Sequence, residues 1–143
     1  MIGFLIALLS GALMSVQGVF NTQVTNTTGM WVSNGWVQFS AFLVCAVAWL
    51  IAGRDEIRTI AEVEPKYMLL GGAIGAGITW TVIKSMDQLG PAKAALLIVI
   101  SQLIVAYVIE LLGLFGIEKE PLEWRKVGGM VLALIGVAIF QWK

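Results

Sequence analysis

Five long apolar runs set the limits on what this chain can fold into. They are Ile2–Phe20, Trp31–Ala52, Tyr67–Met86, Ala92–Leu114 and Val127–Trp142. A membrane-spanning helix needs about 20 mostly apolar residues, because each residue rises about 1.5 Å and the hydrocarbon layer is about 30 Å thick. A closed barrel does not suit them: its strands are about 9–11 residues long and alternate with period two. Composition agrees. Of 143 residues 59% are hydrophobic and only 13% charged, and the mean hydropathy is +0.89; soluble domains carry about 25% charged residues. The expected fold is an all-α integral membrane protein, residues 1–143 forming a single domain of five transmembrane helices.

Charge and punctuation collect in the links. Asn26–Gly29 reads as an uncharged polar loop, Gly53–Lys66 as the main solvated connection, and Gly116–Lys126 as the last loop. Gln88–Pro91 reads as a tight hairpin, with Gly90 suited to a left-handed helix end and Pro91 to the first turn of the next helix. The N-terminus lacks the basic leader of a signal peptide and is expected to be a retained helix. One side of the membrane would hold Arg54, Arg58, Lys66, Lys119, Arg125 and Lys126, and the other Lys84, Lys93 and Lys143. This favours the N-terminus inside by a modest margin.

Several chemistries are excluded by composition. Nine basic and nine acidic residues cancel, which argues against nucleic acid as a partner. The chain has no His, and its one cysteine, Cys45, lies in an apolar run. Disulfide frameworks, zinc sites and Cys/His nucleophilic chemistry are therefore not expected, and the sequence offers no nucleophile–base pair, metal-ligand cluster or phosphate loop. Enzymatic activity is not expected.

The candidate binding residues are polar groups inside the apolar runs. At about 100° per residue, Gly3, Ala7, Ser10, Met14, Gln17 and Asn21 share one side of the first helix. An amide facing lipid is costly unless paired, so Gln17 and Asn21 must meet protein or a water-filled cavity. In the third run Gly71 and Gly75 form a small-residue seam suited to close helix packing, and Trp80 offers a flat wall for a substrate. In the fourth, Gln102 sits near the middle, where interhelical bonding and ligand binding compete. Glu110 is the one carboxylate inside a predicted span and a candidate proton carrier. Gln38 and Ser40 are a weaker polar pair, and Ser33 and Asn34 are assigned to the interface. Gly129, Ala133 and Gly136 read as a packing seam.

These motifs also resemble a known family. The stretch "SQLIVAYVIELLGLFGIEKEPLEWRKVGG" is similar to bacterial YdcZ-like proteins, half-size five-helix members of the drug/metabolite transporter superfamily. The matching residues are Gln102, Glu110, Gly113, Phe115, Gly116, Arg125 and Gly128; "QGVFN" and "GGAIGA" look similar to the family's first and third helices. Ser101 stands where a Gly is usual, Glu110 where Asp is usual, and Leu111 where a His often follows. That last departure weakens any acid–His proton relay. The resemblance implies an inner-membrane protein pairing two inverted five-helix units, distantly similar to small multidrug resistance transporters. The first helix lacks those transporters' central acid, so their exchange mechanism does not carry over.

The expected function is secondary transport of small organic molecules by alternating access in an antiparallel dimer within the bilayer. The substrate-binding candidates are Ser10, Gln17, Asn21, Trp80 and Gln102. A homodimer is expected, with a heterodimer with an oppositely inserted paralogue as the other pairing. A passive channel for small polar solutes and a non-transporting assembly subunit are the alternatives. No cofactor or metal is expected.

Overall fold

A computed structural model describes residues 1–53 and 55–141. Arg54 and Lys143, both used in the charge count, and Trp142, the expected end of the last helix, lie outside the described residues. The described residues form helices α1 (Ile2–Thr28), α2 (Met30–Ala52), α3 (Gly71–Leu89), α4 (Pro91–Leu112) and α5 (Trp124–Gln141), with no strand among them. Short 3₁₀ turns occupy Ile57–Glu62, Lys66–Leu70 and Leu114–Gly116. Five helices are long and apolar enough to cross a membrane, the third counted from Lys66. Most large apolar side chains are exposed, as expected where lipid rather than a protein core is the solvent.

The helix α1 runs through the stretch expected to be a loop. Asn26, Thr27 and Thr28 are helical, and Gly29 alone separates α1 from α2. Hydroxyls explain the extension. Ser15 donates to the Gly11 carbonyl at 3.1 Å, Thr22 to Gly18 at 2.8 Å and Thr28 to Val24 at 2.9 Å. Each satisfies itself on the preceding turn, so polarity here does not end the helix. At about 1.5 Å per residue, its 27 residues reach past the hydrocarbon layer, which puts the polar last turns at headgroup level.

Two compact units divide the chain, Met1–Gln88 and Leu89–Lys143. In the first, α1 packs on α2, and the buried Gly18 of α1 faces the Val82 and Met86 side chains of α3. A Cβ built there would fall 2.5 Å from Met86 Cε and 3.3 Å from Val82 Cγ1, so a larger residue would require the end of the Met86 side chain to move. α2 is pinned from both sides. Ser33, fully buried, donates to the Asn21 carbonyl of α1 at 3.2 Å, and Asn34, 3% exposed, donates to the Ala76 carbonyl of α3 at 2.9 Å. Gln38 bridges onward to Asn34 Oδ1 at 3.4 Å and Thr79 Oγ1 at 3.3 Å. Ser33 and Asn34, expected at the membrane interface, lie in the first turns of α2 and there form the buried polar joint of three helices.

In the second unit, Gly113 ends α4 in the left-handed conformation (φ 65°, ψ 43°), its N–H bonded to the Glu110 and Ile109 carbonyls. The Glu120 N–H returns to the same Glu110 carbonyl at 3.0 Å. Tyr107, 6% exposed, receives the Glu123 N–H on its hydroxyl at 2.9 Å and closes α4 onto the start of α5.

Candidate functional site

The residues on the polar side of α1 open onto two adjoining hollows. One, of about 560 Å³, follows α1 itself and is lined by Ile6, Leu9, Ser10, Met14, Gln17 and Asn21 among others. The second, of about 510 Å³, lies between α1 and α2 and is lined by Gln17, Phe20, Asn21, Trp36, Ser40 and Cys45 among others. Gln17, Phe20 and Asn21 belong to both. Their meeting point follows from helical spacing: Ser10, Gln17 and Asn21 are seven and four residues apart, which returns to nearly the same direction at about 100° per residue.

Polarity without charge defines this surface. No Asp, Glu, Lys or Arg lines either hollow. The Gln17 and Asn21 amides have no hydrogen-bond partner among the described residues, whereas Asn34 and Gln38, one helix away, are bonded. One turn beyond Asn21, the Thr25 hydroxyl is buried and likewise without a partner among the described residues, whereas Gln17 is exposed and Asn21 half-buried. The usual acceptor for Thr25, the Asn21 carbonyl four residues back, already receives Ser33. An amide offers two donors and an acceptor. The arrangement can therefore bind a neutral polar group against apolar walls, and supplies no fixed counter-ion.

The remaining candidates are placed as follows. Trp80 is 40% exposed on α3 and belongs to neither lining; the aromatic wall beside Gln17 and Asn21 is Trp36 of α2. Gln102 is exposed on α4 in the second unit and unpaired among the described residues. Of the packing candidates, a Cβ built at Gly75 would stand 4.0 Å from Gln38 Oε1, while Gly71, Gly129 and Gly136 have open space where a Cβ would stand; Ala133 is half-buried. Of the α2 lining, Ser40 was read from sequence only as part of a weaker polar pair with Gln38, and Trp36 and Cys45 were not assigned to the site. A signal was available, since Trp36, Ser40 and Val44 recur every four residues along α2.

Glu110 sits at the loop end of α4 in an ion-pair cluster. The Lys126 ammonium contacts Glu120 at 2.5 Å, Glu123 at 3.6 Å and Glu110 at 3.7 Å, and lies 5.7 Å from the centre of the Tyr107 ring. The Glu110 side chain is 43% exposed. This carboxylate is a partly open member of a charge network that ties α4 to the last loop.

Five spanning-length helices and an uncharged polar face accord with a membrane carrier, and the comparison with known families decides the kinship. The chain matches the family described as "Putative inner membrane exporter, YdcZ" over residues 2–139. It belongs to the YdcZ family. No curated protein and no solved structure gave a match. Membership in the YdcZ family, with five spanning helices, makes this a multi-pass protein of the inner membrane. The family's description names export across the inner membrane, the coarse role that a transporter reading of this chain starts from.

Proposed function

We propose that this YdcZ-family protein is a secondary transporter of small, uncharged or weakly polar organic molecules. It would work as an antiparallel pair of five-helix chains, alternating access around a site that includes Gln17 and Asn21. The observation that carries this reading is the unpaired state of those two amides at the junction of two uncharged hollows. An unsatisfied amide in hydrocarbon costs several kcal/mol, so these side chains require water, substrate or a second chain in front of them. Amides that only hold helices together are bonded within the unit, as Asn34 is. Sites at the interface of inverted repeats are a recurring solution in transporters, and an odd number of helices makes two chains in opposite senses such a pair.

The test is flux in proteoliposomes with a panel of neutral and cationic organic dyes. Gln17→Ala and Asn21→Ala should each lower flux about two- to tenfold, the worth of one hydrogen bond of about 0.5–1.5 kcal/mol, while dimer yield is unchanged. Ser10→Ala, Trp80→Ala and Gln102→Ala complete the set. Flux untouched in every variant, or lost only as the dimer is lost, would leave the amides a purely structural role. Non-saturable flux would favour a passive channel. An unaltered pH dependence in Glu110→Gln would remove that acid from proton coupling.

A further inference from the structure

The connection between α2 and α3 carries an order that the transport reading does not use. Residues Ile57–Glu62 form a 3₁₀ helix, in which side chains three apart eclipse one another. Ile57 and Ile60 therefore share one edge, with Val63 next along it. A second edge holds Glu56, Thr59 and Glu62, and the third Arg58 and Ala61. The two isoleucines are 61% and 57% exposed; the whole turn is exposed and only Val63 is partly covered, so its own unit leaves Ile57 and Ile60 uncovered.

We infer that residues 57–63 lie on the bilayer surface as a short amphipathic element, with Ile57 and Ile60 seated at the boundary of headgroups and acyl chains. Position argues for lipid as the occupant. The segment joins the end of one membrane span to the start of the next, so both of its ends are at the same membrane face. An extended chain gains about 3.5 Å per residue, enough for residue 57 to reach about 17 Å beyond Ala52. That freedom is removed by the Trp49 indole, which donates to the Asp55 carbonyl at 2.9 Å. Trp49 lies in the last turn of α2, where tryptophans anchor at headgroup level, and the bond turns the chain back to that depth. At the far end, Lys66 donates to the Ala61 carbonyl and pairs with Glu64 at 3.0 Å, which ties the end of the segment to the start of the third span.

Charge selects among lipids. The connection carries three basic residues against four acidic ones, so attraction to anionic headgroups is not the driving force. Burial of the apolar edge is, and a zwitterionic surface suffices.

The experiment uses the full chain in a Cys45→Ala background with single cysteines at positions 57 to 63, each carrying a nitroxide. It is reconstituted in phosphatidylcholine vesicles with and without phosphatidylglycerol. Collision with oxygen reports apolar surroundings, and collision with a water-soluble nickel chelate reports aqueous ones. The ratio of oxygen to nickel collision should be several-fold higher at 57 and 60 than at 59 and 62, repeat every third residue, and not change with phosphatidylglycerol. High nickel collision at all positions would put the connection in water and overturn the inference. Low collision with both reagents at 57 and 60 would also overturn it, by showing protein, a second copy included, over that edge.

Discussion

Polar side chains of α1 and α2 differ by partner more than by type. Asn34 and Gln17 are both amides within apolar runs, yet Asn34 is bonded across to Ala76 and receives Gln38, while Gln17 has no partner among the described residues. Their removal should have unequal consequences for stability. Interhelical hydrogen bonds in membranes average about 0.6 kcal/mol; Asn34 makes one, to Ala76, and accepts a second bond from Gln38 within α2. Asn34→Leu, close in volume, should lower stability by about 1 kcal/mol in reversible unfolding from mixed micelles. Gln17→Leu should change it by less than about 0.5 kcal/mol, the usual range for sites without such contacts. Equal losses at both positions would erase the distinction between holding and binding amides. The sequence allowed this pair to be found but not sorted. Composition and helical angle placed Ser10, Gln17 and Asn21 on one side of α1. Which amide meets a neighbouring carbonyl depends on the rotation of α2 against α3, and no local pattern encodes that. Ser33 and Asn34 were accordingly assigned to the interface, four residues into a run whose depth depends on where α1 ends.

Helix ends obey stricter local rules, and they were correspondingly easier to read. Gly90 was expected to carry positive φ, and it does, although at φ 79° and ψ 157° its backbone is extended and not left-handed helical. Gly29 has nearly the same geometry, φ 86° and ψ 162°. Each is the single residue between two long helices, in a region that only glycine occupies without strain, at about 1–3 kcal/mol for other residues. The fault lay at Asn26–Thr28, where polarity was taken for a loop although hydroxyls can satisfy themselves along a helix. Gly29→Ala and Gly90→Ala should each destabilise the chain by about 1–3 kcal/mol. Gly136 is the control: it is helical, and a Cβ there meets nothing within 4 Å. Gly136→Ala should keep or raise the stability of one chain by up to about 1 kcal/mol, the ordinary gain over glycine inside a helix. All three can be followed by circular dichroism during thermal unfolding in detergent. If Gly136→Ala kept the single chain folded but dissolved the dimer, the Gly129–Ala133–Gly136 seam would face the second copy. Loss of helix in Gly136→Ala to the extent seen for Gly90→Ala would contradict the open space at that position.

At the scale of the whole molecule, the open question is orientation, and the antiparallel pair stands or falls on it. Five spans place the two chain ends on opposite sides of the membrane. The sides carry six basic residues against three. Lys126 and Lys66 are engaged by nearby carboxylates, but acidic neighbours do little to cancel lysine and arginine in setting topology, so the six-to-three bias stands. It is small enough for a few charges to tip. Under the proposed antiparallel homodimer, a single cysteine at Thr59 in a Cys45→Ala chain should label from both faces of intact membranes in comparable amounts. Lys84→Gln with Lys93→Gln deepens the bias and should drive the population toward one sense. Gln88→Lys with Leu89→Lys reduces it and should restore the mixture or reverse it. If transport needs both senses, flux should peak near equal populations and fall on either side, even with every variant folded. Uniform insertion of the unaltered chain with full flux, and no second protein present, would rule out the antiparallel homodimer. The site in α1 and α2 would then have to be completed by a parallel copy or within a single chain.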